Sequence, residues 1–97
     1  MTIKKKQNGT SVTLFVEGRL DTTTSPDLEN EIKSLESAEK LMINFEKVEY
    51  ISSTGLRVLL SAHKEFSKKG GLTLTNVKDP VLDIFDITGF KDILNLE

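Results

Sequence analysis

Apolar and polar positions alternate over residues 11–17 (S-V-T-L-F-V-E). Val12, Leu14 and Val16 fall on one face and Phe15 on the other, which predicts a strand. Asn8-Gly9 separates it from the short run 2–6 and signals a hairpin, with a loop of two residues or more. Gly18-Arg19-Leu20-Asp21 ends the strand, and Ser25-Pro26 opens a helix. There Ser25 is the expected N-cap, Pro26 suits the first helical position, and Asp27 and Glu29 complement the positive helix end. Leu28, Ile32 and Leu35 recur at helical spacing among charged neighbours, so one face of this helix turns inward.

Residues 41–45 (L-M-I-N-F) form a short, nearly continuous apolar run, which predicts a central strand buried on both faces. Residues 48–51 read as extended or turn-like. A second helix is predicted from about Thr54 to Lys69, stopped by Gly70-Gly71. Residues 72–75 form another strand. Pro80 starts a third helix with Val81, Ile84, Phe85 and Ile87 inward and Gly89 at its end, and residues 93–96 suit a last short strand. The order β-β-α-β-α-β-α-β predicts an α/β fold. One mixed central sheet of four to five strands carries helices packed against it, in a single domain over residues 1–97.

Composition narrows the chemistry. A chain of 97 residues buries about 65% of its unfolded surface, enough for a core without staples. There is no cysteine, which removes thiol catalysis, cysteine-based zinc sites and disulfides, and the lone His63 cannot build a histidine metal cage. His63 is expected at the margin of the second helix's apolar face, as a packing residue. No metal or other cofactor is expected. The net charge of −2 gives no basic excess that would call for a nucleic acid. Lys4-Lys5-Lys6 is followed by no apolar stretch, so a secretory signal and a membrane span are not expected, and the predicted location is cytoplasmic. The three lysines suit an exposed strand whose charges discourage edge pairing.

One segment stands out: residues 49–60, E-Y-I-S-S-T-G-L-R-V-L-L. Three hydroxyl residues and a glycine sit where an extended stretch becomes a helix, whose first turn has unpaired N–H donors and a partial positive charge. Ser52, Ser53 or Thr54 can cap it, and the same geometry suits a phosphate, free or covalently attached. At about 100° per residue, Val58, Leu59, Ala62 and Phe66 share one side, while Ser53, Arg57, Ser61, Lys64 and Lys68 share the opposite one. Ser53 is therefore expected at the exposed edge of the first turn, with Arg57 one turn on. No Gly-x-Ser-x-Gly elbow and no Gly-Lys-Ser/Thr loop occurs. Asp21, followed by threonines, suits a second cap or a polar contact.

This segment resembles the phosphorylation segment of the STAS family, and in particular of its small bacterial anti-sigma factor antagonists. Residues 18–21 resemble the family's Gly-x-Leu-Asp turn, and Ile87-Thr88-Gly89-Phe90 its late helix-ending segment. The resemblance covers essentially the whole chain. It implies a protein that is not an enzyme: it binds an anti-sigma factor, which is also a serine kinase, and so releases a sigma factor. Phosphorylation switches it off and a serine phosphatase resets it. The phosphoacceptor falls on Ser53, with Ser52 as second choice, and Asp21, Ser52, Ser53, Thr54, Gly55 and Arg57 are the implied partner contacts. Two positions depart from the family pattern: Ser52 stands where Asp is usual and Asn44 where an acidic residue is common. The first change motivates an alternative, a non-phosphorylated STAS adaptor subunit of a transport or larger signalling complex. A small-molecule binder or enzyme using the helix start, with nucleotides as one candidate ligand, is a third reading, and no acid–base pair or metal cluster supports catalysis.

Overall fold

The computed structural model describes all 97 residues. Thr2–Asn8 (β1) and Ser11–Leu20 (β2) pair antiparallel, with Asn8 opposite Ser11, so the hairpin loop is only Gly9-Thr10. Gly9, the first loop residue, takes a positive φ of 65°, which glycine adopts without strain, while Asn8 stays paired in the strand. From β2 the chain crosses through Ser25–Lys33 (α1) to Lys40–Ile51 (β3), through Ser53–Phe66 (α2) to Gly71–Thr75 (β4), and through Asp79–Thr88 (α3) and a 3₁₀ turn at Phe90–Asp92 to Asn95–Leu96 (β5). β2 to β5 are parallel, and the sheet order is β1-β2-β3-β4-β5. The mixed five-stranded sheet and the order of elements are those expected, with the last strand two residues shorter.

Every crossover steps in the same direction across the sheet. Crossovers of one hand then place all their helices on one face. The core follows: Val12, Leu14, Leu41, Ile43, Phe45, Leu72 and Leu74 of the strands meet Leu28, Leu59, Phe66, Val81 and Phe85 of the helices in one buried cluster. Each such side chain contributes about 1.5–3 kcal/mol by leaving water. The opposite face of the sheet has no layer over it. Met42 and Asn44 there are only half-buried, and Phe15 is 41% exposed. The expectation that residues 41–45 are buried on both faces is therefore corrected. A central strand is doubly covered only when helices flank both sides, and this topology supplies one side.

Residues 48–51 belong to β3. That strand buries Phe45, Val48 and Ile51, every third residue instead of every second, because the pairing with β2 shifts register between Phe15 and Glu17 and again between Gly18 and Arg19. Each irregularity turns two consecutive side chains outward, Glu46-Lys47 and then Glu49-Tyr50, and erases the period of two. On α3, Val81 and Phe85 are buried and Ile84 half-buried, but Ile87 is 85% exposed. Two residues past Phe85 is about 200° around the helix, so Ile87 points away from the sheet and its expected inward placement is corrected. Gly89 ends α3 in the left-handed region at φ 80°.

Candidate functional site

β2 and β3 end side by side. Leu20 pairs with Ile51, and the Ser52 N–H donates to the Leu20 carbonyl at 2.9 Å. Two chain reversals therefore share this end of the sheet: the turn from β2 into α1, and the abrupt entry from β3 into α2.

The α2 entry has a single residue, Ser52, between strand and helix. Ser52 is extended (φ −96°, ψ 175°), and its Oγ accepts from the Gly55 N–H at 3.4 Å, a long N-cap bond. Its carbonyl accepts from the Leu56 N–H at 3.0 Å. Ser52 is thus held by backbone and side chain, and is half-buried. Ser and Asp cap equally well, so Ser52 performs the local task that an Asp would perform there.

Ser53 is the first helical residue. It is exposed, and no protein group hydrogen-bonds its Oγ. Its own N–H and that of Thr54 lie in the first turn, where a helix offers no internal acceptor. Thr54 is half-buried. No acidic residue lies in this first turn. Arg57, Ser61, Lys64 and Lys68 follow on the exposed side as the periodicity predicts, and neither ion pair of the molecule, Lys33–Glu29 or Lys47–Glu17, involves Arg57.

Gly55 has a different part. It is buried, and a Cβ built on it would stand 2.8 Å from Ile51 Cγ1 and 3.0 Å from both Leu20 Cγ and the Leu20 carbonyl oxygen. The absent side chain lets α2 start directly against the ends of β2 and β3, which is what sets Ser53 at the rim. Its φ is ordinary for a helix; close approach is the reason for glycine here.

At the α1 entry, Asp21 closes a local turn. Its Oδ1 accepts from the Thr23 hydroxyl at 2.8 Å, the Thr23 N–H at 3.0 Å and the Thr24 N–H at 3.2 Å. The Thr24 hydroxyl accepts from the Asp21 N–H at 2.9 Å and lies 2.6 Å from the Arg19 carbonyl. The Thr23 hydroxyl bond, followed by the Thr24 and Thr23 N–H groups, holds the Asp21 carboxyl below the usual carboxylate range, against a smaller opposing effect of burial. The N-cap of α1 is Thr24, with no side-chain cap bond of its own, which corrects the assignment of Ser25. Ser25 is instead fully buried in the first turn, with its hydroxyl and N–H both donating to the Asp21 carbonyl. The Asp21 turn has taken over the capping task. The expected cap of Asp21 and its neighbouring threonines is thus present, and the part of the buried Ser25 in it has no signal in the sequence.

The site thus gathers Asp21, Ser52, Ser53, Thr54 and Gly55 at one end of the sheet, with Arg57 one turn beyond. Arg19 lies on the open face with its guanidinium 4.4 Å from the centre of the Tyr50 ring. A depression of about 220 Å³ on that open face is lined by Lys4, Phe15, Glu17, Asn44 and Lys47 among others, and includes none of the candidate site residues. No helix is long and apolar enough to cross a membrane. His63 is half-buried, as expected of a packing residue, and its Nδ1 is buried without a partner.

Comparison with known proteins places this geometry in context. The family model for the STAS domain matches residues 2–97. The chain is 36% identical over 93 residues to the anti-sigma-B factor antagonist of Bacillus subtilis, covering 94% of this chain and 85% of that one. Among solved structures, an anti-sigma factor antagonist from Mycobacterium paratuberculosis superposes with a TM-score of 0.88 at 24% identity, over 98% of this chain and 83% of that one. The Bacillus cell fate determinant SpoIIAA in its phosphorylated form superposes with a TM-score of 0.75 at 17% identity, over 99% of this chain and 91% of that one. These two structural likenesses speak for the fold.

Proposed function

Because the chain belongs to the STAS domain family, and is similar along its length to an anti-sigma-B factor antagonist, we propose that it is an anti-sigma factor antagonist switched at Ser53. In the unmodified state it captures an anti-sigma factor through the end of the sheet where Ser53 is exposed, and a sigma factor is released. The anti-sigma factor also acts as a serine kinase. The Ser53 Oγ attacks the γ-phosphorus of ATP, its proton passes to a base on the kinase, and ADP leaves. A serine phosphatase returns the hydroxyl. The chain itself performs no catalysis: it is the binding partner and the phosphate carrier.

The observation that carries this reading is the uncommitted, exposed Ser53 hydroxyl beside a Ser52 hydroxyl committed to the cap. A phosphate brings a charge of about −1.5 to −2. At the start of α2 the domain tolerates it, since a helix N-terminus favours an anion by about 0.3–1 kcal/mol. A docked partner does not. A dianion about 7 Å from one partner carboxylate costs about 4–5 kcal/mol at an effective dielectric of 20. Half of that weakens binding about fifty-fold. The interfacial repulsion outweighs the intramolecular gain, so the switch needs no change of fold. Asp21, Thr54 and Arg57 flank the hydroxyl as partner contacts, and Gly55 acts by close packing beneath it. The adaptor alternative drew on Ser52 standing in place of Asp. Since Ser52 caps the helix as Asp would, that departure no longer favours it.

The test is incubation with the anti-sigma kinase encoded by the same genome and ATP. One phosphate on Ser53, none on Ser53→Ala, and an affinity about fifty-fold lower for the modified protein are expected. Stoichiometric labelling of Ser53→Ala, or equal affinity of both forms, overturns the reading.

A further inference from the structure

We propose that Arg57 folds back onto a phosphate carried by Ser53, so that modification withdraws a cation from the docking face as well as adding an anion. The inference deepens the reading above and rests on Ser53 being the acceptor.

Arg57 is exposed, forms no ion pair and sits four residues after an exposed, unbonded hydroxyl on the same helix. Residues at that spacing have Cβ atoms about 5–6 Å apart. Long helical side chains lean over the turn that precedes them, which for Arg57 is the turn holding Ser53. The order also suits: an anion four residues ahead of a cation is the favourable arrangement on a helix. Nothing on its own helix competes. The positions three and four away from Arg57 on either side are Ser53, Thr54, Leu60 and Ser61, none of them charged, and the first turn of α2 holds no carboxylate. The phosphate would be the first anion on this stretch of α2. A guanidinium stays charged at every relevant pH and engages two phosphate oxygens at once, which a lysine cannot do.

The consequence is a larger change at the surface than the phosphate alone would make. In the bare protein the face offers a free guanidinium to an acidic partner. In the modified protein that guanidinium is turned inward along the helix, and the face presents the residual negative charge. The clamp also covers the phosphate from one side, so removing it requires the phosphatase to displace Arg57.

The decisive measurement uses the full chain with phosphoserine built in at position 53 during translation, which does not depend on any kinase. The phosphate is titrated by ³¹P NMR in the native sequence, in Arg57→Gln and in Arg57→Lys. Phosphoserine ordinarily takes up its second proton near pH 6. The clamp predicts a midpoint about half a pH unit lower in the native sequence than in Arg57→Gln, with Arg57→Lys between them. It also predicts that the Arg57 Nε–H resonance shifts with the same midpoint. Identical midpoints in native and Arg57→Gln, or an Arg57 resonance indifferent to the phosphate, overturn the clamp. A clamp seen in this titration while the kinase leaves Ser53 unlabelled overturns the proposed function instead. A working switch with no clamp leaves that function standing and removes Arg57 from it.

Discussion

The starts of α1 and α2 lie at the ends of adjacent parallel strands and are both rich in hydroxyls, but they use them differently. At α1, the Thr23, Thr24 and Ser25 hydroxyls all bond to Asp21 or to the backbone just before it, and Ser25 is sealed from water. At α2, Ser52 is bonded and Ser53 is not. The first entry is a closed turn that fixes the chain. The second leaves one hydroxyl free at the exposed start of a helix. A hydroxyl before a helix is therefore informative only when another residue already fills the capping role.

The most disruptive way to probe the contrast is to remove the close approach that positions α2. Gly55→Ala places a methyl 2.8 Å from Ile51 Cγ1 and 3.0 Å from the Leu20 carbonyl, and is expected to cost about 1–3 kcal/mol in chemical denaturation. Next comes the buried hydroxyl of α1. Ser25→Ala removes its bond to the Asp21 carbonyl and should cost about 1 kcal/mol. Ser53→Ala, matched in chemistry but on the exposed side of α2, should stay within about 0.5 kcal/mol of the native protein. Equal losses at the two serines would erase the distinction between the closed and the open entry.

A finer contrast lies in pH. The folded Asp21 carboxyl titrates below its unfolded value, with the Thr23 hydroxyl bond as the main cause. Its contribution to stability is therefore fully present above the unfolded pKa of about 3.9 and is lost as pH falls through the folded one. Denaturation at stepwise lower pH should show native protein losing stability over that window relative to Asp21→Asn, and the two curves converging below it. Titration of Asp21 by NMR at or above the ordinary value would show that the α1 entry is looser than its hydrogen bonds indicate.

Much of the fold was legible because it is written in local periodicity. The hairpin follows from a local turn signal, and the inward face of β2 and the exposed stripe Ser53, Arg57, Ser61, Lys64 and Lys68 follow from periods of two and 3.6 that any neighbour would respect. The spacing of Phe45, Val48 and Ile51 defeated the same reasoning, since an irregular strand is extended only by virtue of the partner it pairs with. Ile87 is a different case: two residues past the buried Phe85 it lies about 200° around the helix, so the period of 3.6 already turns it outward although it is apolar.

The amino-acid sequence by itself determined the order of elements, the hydroxyl-rich entry into the second helix and the family resemblance, because each depends on residues close together in the chain. Tertiary structure alone decided that the sheet is covered on one side, that Ser25 is sealed, and that Gly55 is needed for contact and not for its backbone freedom. Those outcomes depend on the strand order, on the fold of the Asp21 turn and, for Gly55, on the pairing of Leu20 with Ile51, and such proximity is a property of the packed elements.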